Sequence, residues 1–106
     1  MSRETPKYFH APIRMVRIPK FDWDYDLALG EFAWRFDEHG RRSIAIAIPG
    51  NIQLVPVFSL WTIGYKNRCG AQWSWDGNED KPTLRPSLHA KGVWHGYVRN
   101  GELVEA

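Results

Sequence analysis

Four histidines, His10, His39, His89 and His95, are the residues of this chain best suited to hold a metal or move a proton near neutral pH. His89 and His95 stand closest together in sequence, yet no cysteine-rich or carboxylate-rich partner is spaced to complete a metal site with them. A general base also needs a positioned partner, so a hydrogen-bonded structural role is the favoured reading of His95. Ser87, His95 and Asp76 supply the residue types of nucleophile, base and orienting acid. Ser87 is followed by Leu88, however, with nothing like a nucleophile elbow around it, and the sequence therefore assigns no catalytic residue. Cys69, the single cysteine, has no visible base beside it.

Other groups suit binding better than catalysis. Trp73 and Trp75, two apart, could share a strand face and stack nucleobases, with Lys66, Arg68 and Arg85 near them in sequence, although core packing claims at least one of the two rings. Arg41-Arg42 reads as a small exposed basic pair at a loop. Phe21-Asp-Trp-Asp-Tyr-Asp26 alternates aromatic with acid, so an extended backbone would array Asp22, Asp24 and Asp26 along one side. A calcium loop would need glycine where Leu27 stands and a bidentate glutamate where Ala33 stands. That leaves a solvated acidic strip, with docking of a basic protein as its functional alternative.

The elements that must position these groups are strands. Residues 1 to 12 are polar and carry two prolines, which suits an N-terminal arm. A single β domain would then run from 13 to 106. Ile13 to Ile18 reads as one short strand stopped by Pro19. Glu31 to Asp37 and Ser43 to Ile48 both alternate and form one hairpin across a polar loop containing Gly40. Gln53 to Tyr65 is apolar and β-branched, and Pro56 belongs at an edge or bulge. Asp22 to Leu29, ended by Gly30, is the one segment that could make a helical turn or two. In the last hairpin an Asn100-Gly101 turn sets Arg99 opposite Glu102 and Val98 opposite Leu103. This register places Trp94, Val98 and Leu103 on a core face and His95, Tyr97 and Arg99 on an outer face suited to binding.

The segment Trp73-x-Trp75-Asp76-Gly77, then Pro82-Thr83-x-x-Pro86-Ser87-Leu88, then Trp94-His95 and Asn100-Gly101, resembles a family of small phage- and prophage-associated proteins, some of which circulate under the label ammonia monooxygenase. The resemblance covers about residues 69–105 and implies a fold and a phage origin. Many members of that family have a cysteine before the histidine and further cysteines upstream, a set suited to a structural metal. Here Trp94 takes that place and Cys69 is alone, so a thiolate-rich zinc site cannot be assembled in one monomer, and neither metal nor other cofactor is expected.

Length and composition bound the rest. The chain has 106 residues, a size for one domain, and 43% hydrophobic against 25% charged residues, the balance of a soluble globular protein. A net charge of +2 demands no polyanionic partner. The longest apolar candidate, Ile44 to Ile48, ends at Pro49-Gly50, and no signal peptide is visible, so a cytoplasmic protein is expected, in the host bacterium if phage-encoded. Together these observations favour a mainly β fold, a small antiparallel roll or sandwich with at most one short helix. The leading functional expectation is a phage-type accessory protein that binds a host or viral protein without catalysis, including inhibition of a host defence complex. A nucleotide- or nucleic-acid-binding module ranks second, and a small metal-dependent hydrolase built on His89 and His95 third.

Overall fold

In the computed structural model residues 12–21, 28–50, 55–66, 70, 72–90 and 92–106 are described. The described residues form nine strands and no helix. They are β1 (Ile13–Arg14), β2 (Val16–Arg17), β3 (Glu31–Phe36), β4 (Arg42–Pro49), β5 (Pro56–Thr62), β6 (Ser74–Trp75), β7 (Leu84–Ala90), β8 (Trp94–Arg99) and β9 (Glu102–Glu105). One sheet has the order β1-β9-β8-β7-β6 and the other β2-β3-β4-β5. All pairings between strands are antiparallel except β2 with β3.

The expected all-β architecture is thus present, with the strand at Ile13 divided. Ile13 and Arg14 pair with Leu103 and Glu102 in one sheet, whereas Val16 and Arg17 pair with Glu31 and Phe32 in the other. Met15, between them, is buried at 6% exposure and carries the chain from sheet to sheet. An imperfect alternation is what such a crossover produces, because each half answers to a different sheet's pleat. The acidic strip Asp22, Asp24 and Asp26, the helical candidate up to Leu27, His10 and Cys69 lie outside the described residues.

The core joins both sheets. Met15, Phe32, Ile44, Ile46, Ile48 and Trp61 meet Trp73, Leu84, Leu88, Trp94, Val98 and Leu103 in one apolar cluster. Strand β4 lies between β3 and β5, so its neighbours satisfy both backbone edges, and Ser43 through Pro49 are buried. Its isoleucines face the core. On its other face Ala47 lies opposite Phe58 in the ladder, and Phe58 meets Phe21 edge-on with centroids 5.2 Å apart. Pro56 opens β5 on the sheet edge, where its missing amide breaks no ladder bond.

The β3–β4 loop is organised by Asp37, whose carboxylate accepts bonds from the His39 and Arg41 amides and from Arg41 Nε at 2.7 Å. Desolvation of this carboxyl pushes its pKa up, but the hydrogen bonds from Arg41 and His39 outweigh that and hold it below the ordinary value.

The closing hairpin has the register its sequence dictates. Val98 opposes Leu103 and Arg99 opposes Glu102, with positive φ at Asn100 (49°) and Gly101 (74°). Gly101 also lies where chain segments converge: its carbonyl accepts from Met15 N at 2.9 Å and its amide donates to Pro82 O at 2.9 Å. A Cβ there would stand 2.8 Å from Lys81 Cα. Gly101→Val is therefore expected to lose about 1–3 kcal/mol from backbone strain, with further loss from the collision with Lys81. An unchanged urea midpoint would contradict this account of the turn.

Candidate functional site

The outer face of the β7–β8 pair is where the chemistry-bearing residues converge, and a defect in strand pairing brings them together. Leu84 opposes Val98 and Leu88 opposes Gly96, so β7 advances four residues while β8 advances two. Arg85, Pro86 and Ser87 thus face Tyr97 alone, a surplus of two residues that forms a bulge. Pro86 has no amide to lose from the ladder, which makes it a residue that tolerates such a position. Between the bulge and β8 opens a groove of about 680 Å³ lined by Thr83 to Ser87, Tyr97, Arg99 and Asn100.

Ser87 is half-buried on one wall of this groove. Its hydroxyl lies 3.0 Å from His95 Nε2, a hydrogen-bond distance between nucleophile-type and base-type atoms. His89 sits directly across the ladder from His95, the two imidazoles 4.9 Å apart with planes tilted by 33°. Ser87 and His95 contact each other without a third, acidic partner among the described residues. Asp76 Oδ1 accepts instead from the amides of Asn78 at 3.0 Å and Thr83 at 3.3 Å, and among the described residues no carboxylate bonds to the His95 ring.

The bulge is held from outside. Trp73, buried in the core, donates its indole N–H to Ser87 O at 3.2 Å, fixing the backbone of the serine on the side away from β8. Thr83 Oγ1 accepts from Asn100 N at 2.9 Å, and Asp76 N donates to Thr83 O at 3.2 Å. The turn after β6, the start of β7 and the closing hairpin are thereby tied together at one end of the groove. Each of these contacts uses a residue of the Trp-x-Trp-Asp-Gly and Pro-Thr-x-x-Pro-Ser segments.

The remaining residues proposed from sequence fall as follows. His95 and Arg99 are exposed and Tyr97 half-buried on the outer face, with the Arg99 guanidinium 4.4 Å from the Tyr97 ring centroid. Trp75 packs against Trp34 with centroids 4.5 Å apart and donates Nε1–H to Asn78 O. Both tryptophans are thus engaged within the protein.

Arg41 and Arg42 are not the exposed basic pair expected from sequence. Arg41 pairs with Asp37 at 2.7 Å and lies over Tyr65, while Arg42 pairs with Glu79 at 3.2 Å among the rings of Trp34, Phe36 and Trp75. Their charges and guanidinium faces are occupied by the fold itself. Among the described residues no three His, Cys, Asp or Glu side chains converge as metal ligands, His89 and His95 included. Nor is any helix of the described residues long and apolar enough to cross a membrane.

The Ser87–His95 contact escapes a reading by sequence motif because it depends on a hairpin, not on an elbow. The signal lies in the short connection around Gly92. It folds β8 back so that His89 meets His95, and Ser87, two residues before His89, becomes the diagonal neighbour.

The same part of the chain carries the similarity to known proteins. Residues 59–106 match a family model described as bacterial ubiquitination-like system serine protease (BubE), a match over a little under half of the chain. No curated protein and no solved structure matches. Ser87, His95, Trp73 and the groove all fall within the matched residues.

Proposed function

We propose that this protein is a serine hydrolase of acyl bonds, with Ser87 as nucleophile and His95 as general base. The observation that carries the reading is the 3.0 Å approach of Ser87 Oγ to His95 Nε2 at the rim of an open groove. The serine-protease description of the family similar to residues 59–106 supports it. The words "ubiquitination-like system" in that description make a peptide bond of a modifier-type protein the substrate class this reading implies.

In the mechanism, neutral His95 accepts the Ser87 hydroxyl proton at Nε2 as Oγ bonds to the substrate carbonyl carbon. The carbonyl π pair moves to oxygen. When the carbonyl re-forms, the bond to the leaving amine breaks and His95 returns the proton to that amine. Water then gives a proton to the same nitrogen as its oxygen bonds to the acyl carbon, and when the carbon–Oγ bond breaks that proton passes to Ser87 Oγ, which restores both residues. Trp73 acts as a positioning residue by holding the serine backbone, and His89 packs along the base.

A small neutral fluorophosphonate tests the assignment. It should label the protein once, at Ser87 by peptide mapping, and fail on Ser87→Ala and His95→Gln. Labelling that persists in Ser87→Ala would overturn it.

An alternative is the non-enzymatic role, in which a phage-type accessory protein docks a host or viral protein on its outer face. The open presentation of Arg99 stacked on Tyr97 favours it, since these residue types are common interface anchors. Absence of Ser87 labelling would leave this reading standing.

A further inference from the structure

We infer that the groove beside Ser87 selects substrates carrying a carboxylate next to the bond that is cut, and that Arg85 and Arg99 recognise it. This rests on the acyl-transfer reading of Ser87 and goes beyond it to substrate chemistry.

The groove has a charge of one sign. Arg85 lies on its bulged wall and Arg99 on the β8 wall, both exposed, with Ser87 in the same lining. Three other arginines of the fold are consumed by acids, Arg17 by Glu79 and Asp80, Arg41 by Asp37 and Arg42 by Glu79, while Arg14 and Arg35, also without an ion pair among the described residues, do not line the groove. Among the described residues Arg85 and Arg99 make no ion pair. The acids nearest in the fold are otherwise placed. Glu102 stands opposite Arg99 in the β8–β9 ladder without closing to ion-pair distance, and Asp76, beside Arg85 in an adjoining groove, is bonded to backbone amides.

Geometry adds to charge. Stacking on Tyr97 restricts the plane of the Arg99 guanidinium and leaves its N–H edges to bond a ligand. A carboxylate offers two acceptor oxygens to such donors and gains charge-assisted hydrogen bonds from them. A neutral or cationic group in the same place would leave two like charges facing each other across the groove. An acidic side chain and a free chain terminus present the same carboxylate, so both satisfy the recognition.

Labelling rates of Ser87 by peptidyl diphenyl phosphonates decide the matter. One probe pair differs only in bearing a carboxylate or a carboxamide side chain next to the phosphonate, a second only in a carboxylate or a carboxamide on the departing phenoxy group, which stands where a residue with a free or amidated chain terminus would leave. At least one acid probe should react about tenfold faster or more than its amide partner, the gain expected of charge-assisted bonds. The faster of the two acids identifies the source of the carboxylate. In Arg85→Gln/Arg99→Gln the acid-to-amide ratio, which cancels any general loss of reactivity, should fall to within about twofold. Equal rates within both pairs for the wild-type protein would overturn the inference while leaving the dyad intact, as would a preference that survives the double substitution. Failure of the neutral fluorophosphonate to label Ser87 would overturn the dyad, and this inference with it.

Discussion

Ser87→Ala is expected to reduce turnover of an acyl substrate by about 10⁴-fold or more, the loss seen when a nucleophile that works as a unit with its base is removed. His95→Gln should fall by a comparable factor, since without the imidazole the Ser87 hydroxyl keeps its proton at the moment of attack. The informative result is the double variant. Two residues that act on one proton cannot be lost twice, so Ser87→Ala/His95→Gln should be no slower than either single change. Multiplicative losses would mean that the 3.0 Å contact is not the operative one. Folding supplies the control. The hydrogen bond joins a half-buried serine to an exposed histidine, so Ser87→Ala should change stability by no more than about 1 kcal/mol.

The groove exists because β7 and β8 disagree in length, and that is also why the site was hard to read. The closing hairpin could be placed from sequence to the residue, because Asn100-Gly101 dictates a two-residue turn and alternation then sorts Trp94 and Val98 from His95 and Tyr97. The β3–β4 hairpin was equally legible from Phe32, Trp34 and the isoleucines of β4. Local rules settle such elements. The two-residue surplus at Arg85-Pro86-Ser87 follows from the pairing of Leu84 and Leu88 with positions two apart on β8, a long-range fit that no local pattern announces. Pro86 marked the segment as irregular without saying what the irregularity would expose. Trp73 illustrates the same limit: its type pointed to core or contact surface, and only the fold shows a buried ring whose N–H reaches the backbone of Ser87. Likewise the split at Met15 is invisible in a six-residue alternation until two sheets compete for it.

Trp94→Ala is expected to be the most destabilising change on the matched segment, at roughly 3–5 kcal/mol, which is a large part of a small domain's stability. Trp94 is buried at 8% exposure on the inner face of β8, and the six-membered ring of its indole extends over Gly96. Position 96 is glycine for that reason: a Cβ there would run into the ring of Trp94 and would also stand 2.5 Å from Val104 O. Tyr97→Ala, on the outer face, should move the urea midpoint far less, because that ring stacks on Arg99 and not on the core. Gly96→Ala should destabilise the wild-type protein by about 1–3 kcal/mol through overpacking. In the Trp94→Ala background the same change should cost less, because the ring it collides with is gone, though Val104 O still limits the relief. The double-mutant cycle should therefore be non-additive by about 1 kcal/mol or more. Simple additivity of Trp94→Ala and Gly96→Ala would show that the indole does not lie over Gly96. The inner face that supports His95 and the Ser87 groove would then be built differently.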